Sequence, residues 1–167
     1  SSEDDIIKIS AKTGQGVSDV LDAIVENIAA PSGDPGAQTR SLIFDSYFDD
    51  YRGVVLYVRT FDGEIKKGDN ISMLATGAQG VALEVGTLAP GMTPTDKLNA
   101  GEVGYIVTNL RTTREARVGD TVTVKRNPAT EPLPGYKLVK PFVYAGFFPV
   151  SNDDYQALKD AIEKLSM

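Results

Sequence analysis

Residues 53–74 run GVVLYVRTFDGEIKKGDNISML. The apolar run Val54–Val58 is rich in the β-branched and aromatic residues that suit a strand. It gives way to Asp62-Gly63, a dipeptide that supplies the positive φ angles of a two-residue hairpin turn. Ile65 follows, then a second turn at Lys66-Lys67-Gly68-Asp69 and another strand from Asn70 to Leu74. Two reversals within about twenty residues predict a small antiparallel barrel or sandwich rather than an α/β unit. Such a hairpin can be an enzyme's wall, a binding face or a spacer, and its flanks decide which.

Composition narrows the classes. The chain has 167 residues, 41% of them hydrophobic, enough for one ordinary domain or two small ones. No apolar run reaches the ~18 residues of a membrane span. The start, Ser1-Ser2-Glu3-Asp4-Asp5, has no initiator Met and no signal-peptide pattern, and reads as a cut inside a longer protein. Cysteine and histidine are absent, which removes disulfides, thiolate metal sites and His-based triads and fits a reducing cytoplasm. The net charge of −6 argues against a general nucleic-acid coat. Its distribution is uneven. Residues 1–37 carry seven acids against Lys8 and Lys12, residues 38–128 balance eleven of each sign, and residues 129–167 set five acids against four lysines.

Taken in order, Ile6-Ile7-Lys8-Ile9-Ser10 reads as a short buried strand and Ala11–Gly16 as a loop. Val17, Val20, Leu21, Ile24, Val25 and Ile28 recur at helical spacing until Pro31. One strand and one helix cannot bury a core. Either they end a parallel sheet whose other strands lie elsewhere, or they pack on the barrel. Residues 31–37 are a linker by composition. Ser41–Phe48 opens the barrel. Thr76-Gly77 is a turn, Gly80–Leu88 a strand with Val81, Leu83 and Val85 alternating, and Pro90-Gly91 with Pro94 a loop. Val103–Val107 and Thr121–Lys125 bring the total to about six strands, a number that can close. A second, proline-rich linker comes next. Leu138–Val150 reads as a strand, and Ser151 caps a helix faced by Tyr155, Leu158, Ile162 and Leu165.

Two features invite chemistry. Gly68-Asp69, Gly101-Glu102 and Gly119-Asp120 each precede a strand. They are either three converging carboxylates around a cation, or turns in which glycine supplies the backbone angle and the acid takes up local N–H groups. Arg111, Arg114, Arg117, Lys125 and Arg126 face only Glu115 and Asp120 locally. Folded onto one rim they would read phosphates; otherwise they are a solvated loop.

Ser10-Ala11-Lys12 after a strand, with Thr13-Gly14 and then a helix, resembles the last guanine-binding motif of P-loop GTPases. The region C-terminal to this helix is similar to the second, β-barrel domain of translational GTPases. Three longer stretches resemble the LepA-type branch of that family: Asp45–Asp49 running into Tyr51–Val55, Asn127-Pro128-Ala129 with Leu133–Tyr136, and Lys140-Pro141 with Tyr144–Pro149 and Asp154-Tyr155. Elongation factor G or BipA-type factors, and a free-standing barrel that binds protein or RNA, are the alternatives.

The resemblance implies a mainly β fold. It would be a six-stranded closed antiparallel barrel, flanked by a β-α stub of a P-loop GTPase domain and the β-α start of an α+β domain. Residues 1–30 would end the GTPase domain and 31–37 link it to a barrel at 38–128. Residues 129–137 would be a second linker, and 138–167 would open a third domain like that of elongation factor G. It implies that the parent hydrolyses GTP, with Mg²⁺, on the ribosome, in remodelling mispositioned complexes (including backward movement of tRNAs) or in assembly. The barrel would meet the small subunit, with Arg111, Arg114, Arg117 and Arg126 as contacts. The parent would be cytoplasmic, with peripheral association at the inner membrane left open, and the chain a monomer. In such GTPases the backbone N–H at the Ala11 position meets the guanine carbonyl, the Ser10 position supports the loop and the Lys12 position packs near the base. The chain has no G-x-x-x-x-G-K-[ST] stretch to cradle phosphates. One hydrogen bond contributes about 0.5–1.5 kcal/mol net, whereas even millimolar binding takes about 4 kcal/mol. Neither bound GTP nor turnover is expected of the chain by itself.

Overall fold

The computed structural model describes residues 6–135 and 142–165, with the side chains of 163–165 outside that description. The chain divides into two compact units, Ser1–Ser32 and Gly33–Met167.

In the first unit the apolar spacing gives helix α1, Val17–Asn27, which ends in an extended residue at Ile28 before Pro31 is reached. The expected strand at residues 6–10 does not form. Among the described residues its one ladder contact is an isolated bridge between Ser10 and Gln15, and Ile6, Ile7 and Ile9 are exposed. A strand exists through its partner's hydrogen bonds, and among the described residues no neighbouring strand is present in this unit. No residue of α1 is buried.

The second unit holds nine strands among its described residues: β1 Arg40–Asp49, β2 Gly53–Asp62, β3 Glu64–Lys66, β4 Asn70–Met73, β5 Gln79–Ala89, β6 Gly91–Thr95, β7 Lys97–Asn99, β8 Val103–Thr108 and β9 Thr121–Val124. Antiparallel pairing runs β4-β9-β1-β2-β8-β5, and β5 pairs back to β4, so six strands close into a barrel. Strand β6 extends β5 on the outside, and β3 with β7 forms a separate two-stranded sheet. The interior is filled by side chains such as Ile43, Leu56, Val58, Ile71, Ile106 and Val122, all fully buried. A second cluster lies on the other face of the β2–β8 wall, where Val55, Tyr105 and Val107 pack with Tyr47, Tyr57 and Met92. Strand β2 is thus covered on both faces, which is why Val54–Val58 is a continuous apolar run and not an alternation.

Asp62-Gly63 does not make a two-residue hairpin. Only Gly63 has a positive φ, 67°, and β3 pairs with β7, not with β2. Likewise β4 pairs with β9 and β5. The Pro90-Gly91 and Pro94 stretch, expected as a loop, is the β5–β6 hairpin. Pro94 is tolerated there because β6 is an edge strand with no partner beyond it among the described residues. The alternation expected in β5 breaks at Leu83, which is 48% exposed, because the register slips between Ala82 and Glu84.

The three Gly-acid pairs are one device used three times. In Lys66–Asp69, Asn99–Glu102 and Arg117–Asp120 the last N–H donates to the first carbonyl at 3.1, 3.1 and 3.0 Å, and the glycine has φ of 88° in each. Glycine is suited to that third turn position because L side chains are strained there. Each glycine N–H donates at 2.7 Å to a strand carbonyl, of Ala82, Thr60 and Ile43 respectively. The N–H groups of those residues return to the carbonyls of Asp69, Glu102 and Asp120 at 2.9, 2.9 and 3.0 Å. All three strand residues border a register slip, with Leu83, Phe61 and Phe44 as the extra residues. Each bulge bends a barrel strand, and each turn is the clip that holds the bend.

Among the described residues 142–150 there is no strand, and Phe142, Tyr144, Phe148 and Val150 are exposed. The remainder of the expected strand, from Leu138, lies outside the described residues, as do Tyr136 and Lys140-Pro141. Ser151 does cap: its Oγ accepts the Asp153 N–H at 3.3 Å at the start of a 3-10 turn, Asn152–Asp154. Helix α2, Tyr155–Leu165, continues from it.

Candidate functional site

In the first unit the loop before α1 is organised by Ser10. Its N–H donates to the Gln15 carbonyl at 3.0 Å, its carbonyl accepts the Gly14 N–H at 2.9 Å, and its Oγ accepts the Thr13 N–H at 3.4 Å. Ala11 and Lys12 stand exposed on the resulting turn. Among the described residues no hydrogen bond takes up the Ala11 N–H. The structure thus brings Ser10, Ala11 and Lys12 into one closed loop held by Ser10.

The basic segment lies between β8 and β9. A Thr-x-x-Glu capping box shapes it: Glu115 accepts the N–H groups of Arg111 and Thr112 at 2.8 and 3.0 Å and closes the single 3-10 turn Thr113–Glu115. Asp120 is buried, 3% exposed, and accepts N–H groups from Ala75, Thr76 and Thr121 at 2.8, 3.1 and 2.7 Å. The two acids nearest the arginines are therefore occupied by backbone. Arg111, Arg114 and Arg117 are exposed and, among the described residues, form no ion pair. Arg114 and Arg117 line a groove of about 550 Å³ with Ala75, Thr76 and Val118.

Arg126 is not with them. It follows β9 while Arg117 precedes it, so a four-residue strand, about 13 Å long, lies between the two. Its guanidinium donates to both carboxylate oxygens of Asp69, at 3.0 and 3.2 Å, and to the Glu64 carbonyl at 3.0 Å. The hydrogen bond to Asp69 raises its pKa further. Glu64 also meets Lys66 and Lys97 at 2.7 and 3.0 Å, and these two hydrogen bonds hold its carboxyl down to about 2. On the outer wall Tyr105 donates to Glu84 at 2.7 Å, and burial first, then that carboxylate, pushes its hydroxyl up to about 12. No group of three acids among the described residues could hold a metal ion, so the cation reading of the Gly-acid pairs gives way to the turn reading.

Residues 53–123, most of the barrel, match the family model described as Elongation factor Tu domain 2. Over 163 residues, 98% of the chain, it is 46% identical to "Elongation factor 4" of Bifidobacterium animalis subsp. lactis and 50% identical to that of Mycobacterium leprae. The Aquifex aeolicus protein of that name is 48% identical over 164 residues. The chain belongs to the elongation factor 4 family. It spans about a quarter of those relatives' length: 26%, 25% and 27%. The fold is shared more widely. A bacterial selenocysteine-specific elongation factor superposes with a TM-score of 0.59 at 23% identity, over 72% of this chain and 20% of that one. The SelB factor of Methanococcus maripaludis, in complex with the GTP analogue GppNHp, gives 0.60 at 19%, over 71% and 26%.

Two of the stretches that point to the elongation factor 4 branch lie on the barrel itself. Asp45–Asp49 and Tyr51–Val55 form the β1–β2 hairpin, whose tip is tied by Asp49 to the Tyr51 and Arg52 N–H groups at 2.8 and 3.0 Å. Asn127–Leu133 runs back along β9: Ala129 and Leu133 donate to the Thr123 and Thr121 hydroxyls at 2.8 and 2.9 Å. Asn109 is a residue that sequence reasoning misses. Its side-chain carbonyl accepts the Val81 N–H at 2.8 Å and fixes the start of the basic loop, and nothing in its local pattern marks that long-range bond. Thr112-x-x-Glu115, by contrast, is a capping-box signature visible in the letters.

Proposed function

We propose that the chain is the ribosome-docking barrel of a translation factor that hydrolyses GTP on the ribosome. The observation that carries this is 46–50% identity to elongation factor 4 across 98% of the chain. Residues 1–30 would end the nucleotide-binding part, 38–128 form the barrel and 138–167 begin the next part. Ser10, Ala11 and Lys12 fit one edge of a guanine base: a held loop offers a free N–H to a carbonyl that adenine lacks, which discriminates guanine. They do not fit a whole nucleotide. The sequence has no phosphate-cradling loop, so GTP and Mg²⁺ belong to a protein of the relatives' full length. That protein acts in the cytoplasm, on ribosomes with misplaced tRNAs or during their assembly. Among the described residues no helix is long and apolar enough to cross a membrane.

The barrel docks through the arginines of the β8–β9 loop. Co-sedimentation of the purified chain with ribosomal subunits tests this. Saturable pelleting with small subunits at low salt is the expected result, and a chain that stays in the supernatant in about 50 mM salt, where phosphate contacts are strong, contradicts it.

A further inference from the structure

The segment entering the barrel, residues 33–39, and the segment leaving it, residues 126–135, meet at one corner. That corner is Asp62-Gly63-Glu64. On the entering side, Asp34 donates its N–H to Asp62 Oδ1 at 3.2 Å and accepts the Gly63 N–H at 2.9 Å. The Thr39 hydroxyl donates to the Glu64 carbonyl at 3.1 Å. On the leaving side, Arg126 Nη2 donates to that same carbonyl at 3.0 Å. One backbone oxygen, with two lone pairs, therefore holds both segments. The segments also hold each other. Thr39 and Pro128 form a parallel bridge, Thr39 donates its N–H to the Asn127 carbonyl at 3.3 Å, and Asn127 Nδ2 donates to the Ala37 carbonyl at 2.8 Å. The approach is close enough that a Cβ on Gly63 would stand 2.6 Å from the Thr39 hydroxyl.

We infer that these contacts form a clasp, a conformational device in which loosening either the entering or the leaving segment loosens the other. The physical reason is that Thr39 and Asn127 are each held by the other segment, and that both segments share the Glu64 carbonyl. Thr39 is only 1% exposed, and its N–H and hydroxyl are satisfied by Asn127 and Glu64. If Asn127 leaves, a buried donor is orphaned, and the entering segment recovers it only by moving out to water. If Arg126 leaves, the Glu64 side chain loses one of three cations and its carbonyl loses a charge-assisted partner. The corner that positions Thr39 then relaxes. In a longer factor the clasp would pass a displacement from the part before the barrel to the part after it, a use that rests on the proposed function; the clasp itself does not.

Hydrogen exchange of the intact 167-residue chain, followed by mass spectrometry without ribosomes or nucleotide, tests it. Asn127→Ala and Thr39→Val are each expected to speed exchange in both segments, Asp34–Arg40 and Ala129–Leu133, by about three- to tenfold, the effect of one lost hydrogen bond on a local opening. Protection in β2 and β8 stays unchanged. Faster exchange confined to the substituted segment overturns the clasp. If either substitution also exposes β2 and β8, the barrel has unfolded, and Arg126→Gln decides. Arg126 is 41% exposed in its side chain and bonds Glu64 and Asp69 but, among the described residues, no residue of the entering segment. Faster exchange at Thr39 in that variant supports the clasp, and unchanged exchange there rejects it. Neither readout involves the ribosome, so failure of docking and failure of the clasp are separate results.

Discussion

Acidic residues that look alike in the sequence do unequal work. Asp69, Glu102 and Asp120 each follow a turn glycine, but only Asp120 is buried and only Asp120 reaches across to the backbone of another hairpin. Its two oxygens satisfy three N–H groups, two of them on the β4–β5 turn. Removing the carboxylate would leave the buried Thr121 donor and the part-buried Ala75 and Thr76 donors unpaired, and each buried unsatisfied donor costs about 1–3 kcal/mol. Partial rescue by water reduces the sum. Asp120→Ala is expected to lower stability by about 2–4 kcal/mol in urea unfolding. Glu102→Ala removes an acceptor for the N–H and side-chain amide of Asn99 only, on a part-buried turn, and is expected to cost about 1 kcal/mol. Equal losses at the two positions would show that the cross-hairpin bonds of Asp120 carry no special weight.

Between elements, the small β3–β7 sheet is held by charge as well as by its ladder. Glu64 on β3 meets Lys66 on its own strand and Lys97 on β7, and its carboxyl is held from the ordinary 4.5 to about 2. Asp62 is lowered too, first by its hydrogen bonds from Arg40. Both shifts have the same sign. The unfolded chain takes up these protons near the ordinary carboxylate range, while the folded chain refuses them until more acid is present. Their contribution is therefore complete above about pH 4.5 and fades as pH falls toward 2. In acid unfolding, Glu64→Gln is expected to reduce proton uptake by up to about one and to flatten stability between those limits. An unchanged acid limb would mean that Lys66 and Lys97, about half exposed, are too well screened to hold the carboxylate.

The same small sheet shows where letters stop specifying structure. Asp62-Gly63 marks a break between two strands, yet its usual reading as a hairpin fails because β3 finds its partner in β7, a segment that local pattern cannot see. The isoleucines at 6, 7 and 9 read as a buried strand, and with no strand beside them among the described residues they stay exposed. Strand existence is legible in the barrel because each strand there has two partners, and a closed sheet leaves little choice. The bulges at Phe44, Phe61 and Leu83 are not legible, since an extra residue shows itself only against its partner strand. Ser10–Lys12 and the arginine loop are visible as motifs. The strand β9, Thr121–Val124, that sets Arg126 apart from the other arginines is legible too; the pairing of Arg126 with Asp69 and Glu64 is not, because those partners lie 57 and 62 residues away in the sequence.

For the molecule as a whole, that separation makes the docking proposal sharper. A net charge of −6 opposes approach to RNA, so binding must come from local positive charge that is not already neutralised. Arg111, Arg114 and Arg117 meet that condition. Arg126 does not: its charge is spent on Asp69 and Glu64. Each phosphate neutralised adds about 0.7–0.9 to the slope of log affinity on log salt, so three free arginines account for a slope of about −2 to −3. Replacing all three by alanine is expected to flatten the salt dependence of small-subunit binding by that amount while leaving urea stability nearly unchanged, as fits surface residues that form no ion pair among the described residues. Arg126→Ala is expected to do the reverse, leaving the slope intact while loosening the segments it clamps. The two variants therefore separate a charge that reads phosphate from one that holds the fold. If Arg126→Ala flattens the slope and the triple variant does not, the docking face lies at the opposite end of β9.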